Sequence, residues 1–365
     1  MSSRLILLNP GPVTLSERVR AAMLGPDLCH REPEFATLQS GLRSGLREIY
    51  DLGDDWASIL LTGSGTAAVE AMITSLVPED GRLLVIENGV YGERISTIAK
   101  RHHIPVQAIA HDWLEAPDLA RIEAALAHDG PFSHLAVVHH ETTSGRLNDL
   151  GNIAALCKRH GVRLLLDAVS SFGAEALDPE AWGIDALAAT ANKCLHAVPG
   201  TCFVIARRSA LAKAPASPRS VYLDLVAYLR NQDAAGTPFT QSIQTFYALE
   251  AALAELKEEG GYRARAARYR ERMEVVRQTL SELGVRPLID PAQSSCVLNA
   301  FHLPEGLSYG PLHDGLKARG FIIYAGQSAL AQQIFRISTM GDITPDDLQR
   351  LCTALREVIA PHPQR

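Results

Sequence analysis

The chain has 365 residues, 47% of them hydrophobic and 6% aromatic, which is enough apolar mass for large buried cores and about two domains. Its formal net charge is −6, from 35 basic and 41 acidic residues. With no basic stripe, that balance argues against nucleic acid or an anionic membrane as partner. An anionic ligand must therefore be held by a local site.

The opening MSSRLILLNPGP meets a Pro-Gly-Pro break after a short apolar run, and no later run reaches the roughly 18 residues of a membrane span. A cytoplasmic protein is expected. Six cysteines (29, 157, 194, 202, 296 and 352) form no CxxC pair, so free thiols in a reducing compartment are expected. The histidine pairs at 102–103 and 139–140 lack metal-type spacing, and no metal site is expected. The segment from Cys29 to Phe35 reads as a cationic loop.

From residue 56 onward, short apolar runs alternate with helical patterns. Ser58–Thr62 reads as a strand, Gly65–Leu76 as a helix, Leu83–Glu87 as a strand and Gly92–Arg101 as a helix. Strands follow at Val106–Ala110 and Leu135–His139, then a helix over Leu150–His160 and a buried strand over Val162–Asp167. Ala186–Thr190 and Cys202–Ile205 complete the set. This repetition implies a parallel sheet covered by helices. A long helical pattern from Ser242 to Leu283 is interrupted by Gly260-Gly261. Beyond Pro287 and Pro291, strand-like runs (Cys296–Phe301, Phe321–Tyr324, Gln333–Ser338) mix with helices (Tyr309–Arg319, Pro345–Ile359), as in a smaller α+β domain.

Ligands of open parallel sheets sit beyond the carboxyl ends of the strands, so the loops there are the places to look for chemistry. Gly63-Ser64-Gly65-Thr66 follows a strand and opens a helix, whose free N–H groups suit a phosphate. The same turn also reads as a plain N-cap, and it is neither a Walker loop nor a GxGxxG motif. Tyr91 stands between glycines in a loop, free to face a ligand or to pack locally. His139–Gly145 is dense in hydrogen-bonding groups where an apolar strand stops. Asp167 ends the run VRLLLD, and a carboxylate there needs a cationic or N–H partner. Lys193 lies 26 residues further on, between two apolar strands. Desolvation there lowers a lysine's pKa and makes the amine nucleophilic, although a lone lysine is ordinarily a surface charge. A phosphate cradle, an aromatic plate, a buried carboxylate and a nucleophilic amine together match the needs of pyridoxal phosphate (PLP).

The motifs LLNPGPV (7–13), TGSGTAAVEA (62–71), NGVYGER (88–94), HHETTSGRLN (139–148), DAVSSFG (167–173), ANKCLHAVPG (191–200) and FRISTMG (335–341) resemble the class V aminotransferases. The likeness covers essentially the whole chain. It implies the PLP-dependent transferase fold shared with aspartate aminotransferase: α/β, with a mostly parallel seven-stranded sheet in a large domain (16–250) and a smaller α+β domain (1–15 and 251–365). HHETTSGRLN, DAVSSFGA and ANKCLHAVPG are more similar to the branch that moves the amino group of 2-aminoethylphosphonate to pyruvate than to the alanine–glyoxylate or serine–pyruvate branches. The segment Cys29–Phe35 departs from that branch.

The resemblance implies a role for each matching residue. Lys193 bonds PLP and shuttles the proton, Asp167 pairs with the ring nitrogen, Tyr91 stacks on the ring, and Thr142 lies near the ring hydroxyl. Ser64, Gly65, Thr66 and Asn192 hold the phosphate, joined by Thr240 from the partner subunit of a homodimer. Arg336 binds the substrate carboxylate and Gly11 gives backbone contacts; His30 and Arg31 are candidates for the extra donors a phosphonate needs. The alternatives are an alanine/serine–glyoxylate or serine–pyruvate aminotransferase, a PLP lyase or desulfurase using Cys29 or Cys296, and a catalytically silent protein of the same fold, such as a regulator, against which the set Asp167, Lys193 and Arg336 argues.

Overall fold

The computed structural model describes residues 4–360. Seven strands form one sheet in the order Trp56–Gly63, Gly200–Arg207, Ile184–Thr190, Arg163–Asp167, His134–Val138, Leu83–Glu87 and Val106–Ala110. Only Gly200–Arg207 runs against the rest, pairing with both of its neighbours antiparallel. The other pairings between neighbours are parallel. The expected mostly parallel seven-stranded sheet is present.

Apart from the edge strand Val106–Ala110, where only Ile109 is buried, the strands are near-continuous apolar runs because both of their faces are covered. Their alternate residues feed two cores. Leu60, Leu84, Ile86, Leu135, Leu164 and Leu166 face helices Pro33–Glu48, Leu119–His128, Leu150–Arg159 and Ile243–Glu258. Ile59, Leu61, Leu83, Val85, Ala136 and Leu165 face helices Gly65–Leu76, Val90–Arg101 and Leu225–Asp233. A third core lies elsewhere. It joins Ile6 and Leu8 to Met273, Phe301, Leu312, Phe335, Ile337 and Leu355. The sheet there is Leu298–His302, Ile334–Ser338 and Tyr324–Ala325. The division expected at residue 250 falls inside helix Ile243–Glu258, whose Phe246, Leu249, Ala252 and Leu256 pack with the first core.

Several local expectations are corrected. The cationic loop ends at Glu32, because Pro33 sits in the first turn of helix Pro33–Glu48, a position that its fixed φ and missing N–H suit. Tyr91 is not in a loop: the helix begins at Val90, with Gly89 as its N-cap. Phe321–Tyr324 divides into two short strands in different sheets, Phe321–Ile322 on Ile6–Leu7 and Tyr324–Ala325 on Ile334–Ser338. As expected, by contrast, the helical pattern from Ser242 breaks at the glycines, with Gly260 at φ 96° between Ile243–Glu258 and Gly261–Glu282; a left-handed residue there favours glycine.

One buried carboxylate ties the sheet to the later segment. Glu175, 3% exposed, accepts the Ser295 hydroxyl at 2.6 Å and the Cys296 N–H at 2.8 Å. Replacing it with alanine leaves both donors buried and unpaired. Glu175→Ala should lower the unfolding free energy by about 2–3 kcal/mol in a denaturant titration; a change of a few tenths would show that water replaces the carboxylate there.

Candidate active site

Six strands point the same way, so their carboxyl ends share one edge, and the loops that leave them carry the site. Ser64 caps helix Gly65–Leu76 without spending its hydroxyl on the cap. A Cβ on Gly65 would lie 2.8 Å from Val169, so only glycine lets the helix start this close to the loop after Asp167. Thr142 is 1% exposed, and its hydroxyl has no partner among the described residues. Asp167 Oδ1 accepts the Val169 N–H at 3.0 Å. Burial raises the Asp167 carboxyl to about 6, opposed by that N–H and by the charges of Arg94 and Lys193.

Lys193 follows strand Ile184–Thr190. Burial lowers its ammonium to about 8; Asp167 opposes the shift, while Arg336 and Arg94 add to it. A chain segment far away in sequence packs over it. Lys193 Nζ donates to the Pro10 carbonyl, and a Cβ on Gly11 would sit 2.6 Å from Lys193 Cδ. Gly11 also has φ +111°, so two constraints require glycine there. Asn192 is half-buried, with Oδ1 taken by the Thr190 hydroxyl at 2.7 Å.

Arg336 is 2% exposed. Its Nε donates to the Ala325 carbonyl at 2.9 Å, and its Nη1 donates to the Thr142 carbonyl at 2.9 Å and to Gln327 Oε1 at 3.3 Å. No bond within the described chain uses Nη2. Burial lowers the Arg336 guanidinium and the charge of Glu141 opposes the shift; the Arg336 charge in turn adds to the lowering of Lys193.

Three residues of this group have no role in the sequence reading. Glu141 is fully buried, and Thr143 donates its N–H at 3.1 Å and its hydroxyl at 2.6 Å to Oε1. The same hydroxyl accepts the Val90 N–H at 3.1 Å, so the pair holds the helix that presents Tyr91. Burial raises the Glu141 carboxyl to about 7, and the charge of Asp167 pushes the same way. His140 donates Nδ1–H to the Ser170 carbonyl at 3.0 Å, while its buried Nε2 has no partner among the described residues; burial lowers its pKa to about 4. Arg94 reaches Thr66 Oγ1 at 3.3 Å and lies 4.7 Å over the Tyr91 ring.

Other expected residues lie apart. Thr240 is exposed, in a segment tied to its own subunit: Thr62 donates its hydroxyl to Gln241 Oε1 at 2.8 Å and accepts the Ser242 N–H at 3.0 Å. Arg31 is exposed and lines a surface hollow with Glu32, Pro33, Ala36, Thr37 and Ser40. No hydrogen bond joins Arg31 or half-buried His30 to the residues around Lys193.

A strand-end amine beside a buried carboxylate, with a helix N-terminus at the same edge, defines the aminotransferase arrangement. The model of the family "Aminotransferase class-V" matches residues 26–351, and the chain belongs to that family. It is 38% identical over 364 residues to the 2-aminoethylphosphonate–pyruvate transaminase of Vibrio cholerae, covering 98% of this chain and 99% of that one. Among solved structures it superposes with TM-score 0.89 on an aspartate aminotransferase of subgroup IV from Thermus thermophilus, which is 30% identical. That match covers 98% of this chain and 99% of the other. An alanine–glyoxylate aminotransferase from Nostoc sp. gives TM-score 0.90 at 26% identity, over 98% and 96%. The family implies PLP, and the residues present fit it: a buried hydroxyl without a partner at Thr142, an uncommitted Ser64 at a helix start, and an amine of lowered pKa.

That lowered pKa has a measurable sign. At about pH 8 the Lys193 amine is half neutral, so its modification by an amine reagent in cofactor-free protein should rise with pH with a midpoint near 8 and level off above it. A midpoint near the ordinary lysine value of about 10.4 would show that the side chain is solvated. Asp167→Asn keeps the shape and removes the charge, and turnover should fall by about two orders of magnitude or more; near-normal steady-state rates would refute a role for that charge.

Proposed function

We propose that the protein is a PLP-dependent aminotransferase that moves the amino group of 2-aminoethylphosphonate to pyruvate, giving phosphonoacetaldehyde and alanine, or runs in reverse. What carries this reading is the convergence of a buried low-pKa amine, a buried carboxylate and a buried guanidinium with an unspent edge. The substrates come from the relatives, which match over nearly the full length.

Bound PLP supplies an electron sink beside the reacting carbon. Lys193 would bond it and, once freed, carry a proton at Nζ between the donor carbon and the cofactor; an amine whose pKa is near 8 suits both directions of that transfer. Asp167 would hold a positive charge on the ring nitrogen. Tyr91 would cover one ring face, and Thr142 would hydrogen-bond at the ring's edge. Ser64, Gly65, Thr66 and Asn192 would hold the phosphate, with Thr240 reaching in from the partner of a homodimer. Arg336, anchored by two carbonyls, would turn its unspent Nη2 to the pyruvate carboxylate, and the same charged group would accept a phosphonate. Gly11 would contribute its backbone. The large domain would be 16–250, and the small one 1–15 with 251–365. Arg31 would add a phosphonate donor only from a partner subunit, given its place on the surface.

A cytoplasmic location is part of this reading. All six cysteines are free, and no helix among the described residues is long and apolar enough to cross a membrane. The sulfur-transfer alternative has little support: Cys296 is buried with its thiol pushed up, and Cys29 is exposed outside the site.

The reading is tested by an amino-donor screen against pyruvate and glyoxylate, with borohydride labelling expected on the Lys193 peptide. If alanine or serine with glyoxylate turns over faster than 2-aminoethylphosphonate with pyruvate, the phosphonate assignment fails. Mixing Lys193→Ala with Thr240→Ala subunits should give activity above that of either variant alone, because one site of the hybrid then carries both lesions and the other neither. Proven hybrids without that rise would refute a shared site.

A further inference from the structure

The groups assigned to the cofactor's phosphate share one property: none of them is charged. Ser64 and Thr66 offer hydroxyls, Gly65 a backbone N–H, Asn192 an amide and Thr240 a hydroxyl. A phosphate or phosphonate carries between one and two negative charges at neutral pH. Neutral donors and a helix dipole of about half a charge leave most of that uncompensated. Some cation must therefore stand at this end of the site.

Three cations are electrostatically coupled here: Lys193, Arg336 and Arg94. Lys193 is turned to the Pro10 carbonyl, and Arg336 is fixed by the carbonyls of Ala325 and Thr142. Only Arg94 touches the cradle, with Nη1 3.3 Å from Thr66 Oγ1. That is its one hydrogen bond among the described residues, so most of its donors remain unspent. Arg94 stands one helical turn after Tyr91 on helix Val90–Arg101, and residues three apart share a face. Its guanidinium therefore lies 4.7 Å over the Tyr91 ring, a contact that aims it without using its donors. The side chain is half-buried, so water screens it only in part.

We propose that Arg94 is the cation that neutralises a tetrahedral phosphorus dianion at the Ser64–Thr66 end of the site, and that Tyr91 holds it in aim. This rests on the PLP reading above. The same chemistry occurs in two molecules, the phosphate of PLP and the phosphonate of the donor, and binding measurements separate them. Arg94 is a ligand-binding residue here, and Tyr91 acts on it as a positioning residue in addition to facing the ring.

The test is equilibrium binding followed by absorbance, on full-length protein freed of cofactor, with PLP and with pyridoxal, which lacks the phosphate. For a charge-assisted hydrogen bond, Arg94→Gln should weaken PLP by about tenfold or more, leave pyridoxal within about twofold, and weaken competition by inorganic phosphate. Arg94→Lys, which keeps the charge but not the fork, should recover part of the loss. If PLP binding is unchanged while the KM for 2-aminoethylphosphonate rises and that for alanine does not, the dianion is the donor's phosphonate, and the proposal stands with that source. Equal losses for PLP and pyridoxal would overturn it, because Arg94 would then merely brace Tyr91. So would unchanged PLP affinity with an unchanged donor KM. Wild-type protein that binds no PLP at all would instead sink the cofactor reading itself.

Discussion

Asp167 and Lys193 are opposite charges held out of water at the ends of adjacent parallel strands, and much of the surrounding structure serves to keep both there. Neither is stable alone in an apolar setting. Burial drives the carboxyl up and the amine down, and each opposes the other's shift. The sheet supplies the geometry, because strands that run the same way deliver both residues to one edge, the chain returning through residues 168–183 between them. Gly65, Gly11 and Gly89 then let backbone close in where any side chain would collide with Val169, Lys193 or Glu141. The site is thus tight because three glycines stand at its walls.

The fold was legible because its strands are apolar on both faces and end in polar turns. Trp56–Gly63, Leu83–Glu87 and Arg163–Asp167 appear in the sequence as runs followed by a change of chemistry. Helices Pro33–Glu48, Leu119–His128 and Leu225–Asp233 went unread. Each is a surface helix with one buried stripe, and only Pro33 and the N-cap aspartates Asp118 and Asp224 mark where they begin.

The site was legible where a residue type was out of place, as with a carboxylate ending an apolar strand. Glu141 satisfied the same criterion, two residues beyond His139, but it was lost among neighbours that are all polar. Arg94 had a signal too, being spaced one helical turn from Tyr91; that spacing means nothing until the helix is known to start at Val90. His140 had none, since only folding leaves its Nε2 without a partner among the described residues.

The first residues of the chain are built into its last. Leu8 N–H donates to the Ile322 carbonyl at 2.8 Å, Ser338 N–H to the Leu8 carbonyl at 2.7 Å, and Asp342 N–H to the Thr14 carbonyl at 2.8 Å. The same strand then carries Pro10 and Gly11 onto Lys193. During synthesis, which proceeds from the amino end, residues 6–8 find these partners only once residues 320–338 are made, and the Thr14 carbonyl only once residue 342 is. The segment that walls the amine is therefore fixed in place only after the residues that follow 320 have been added.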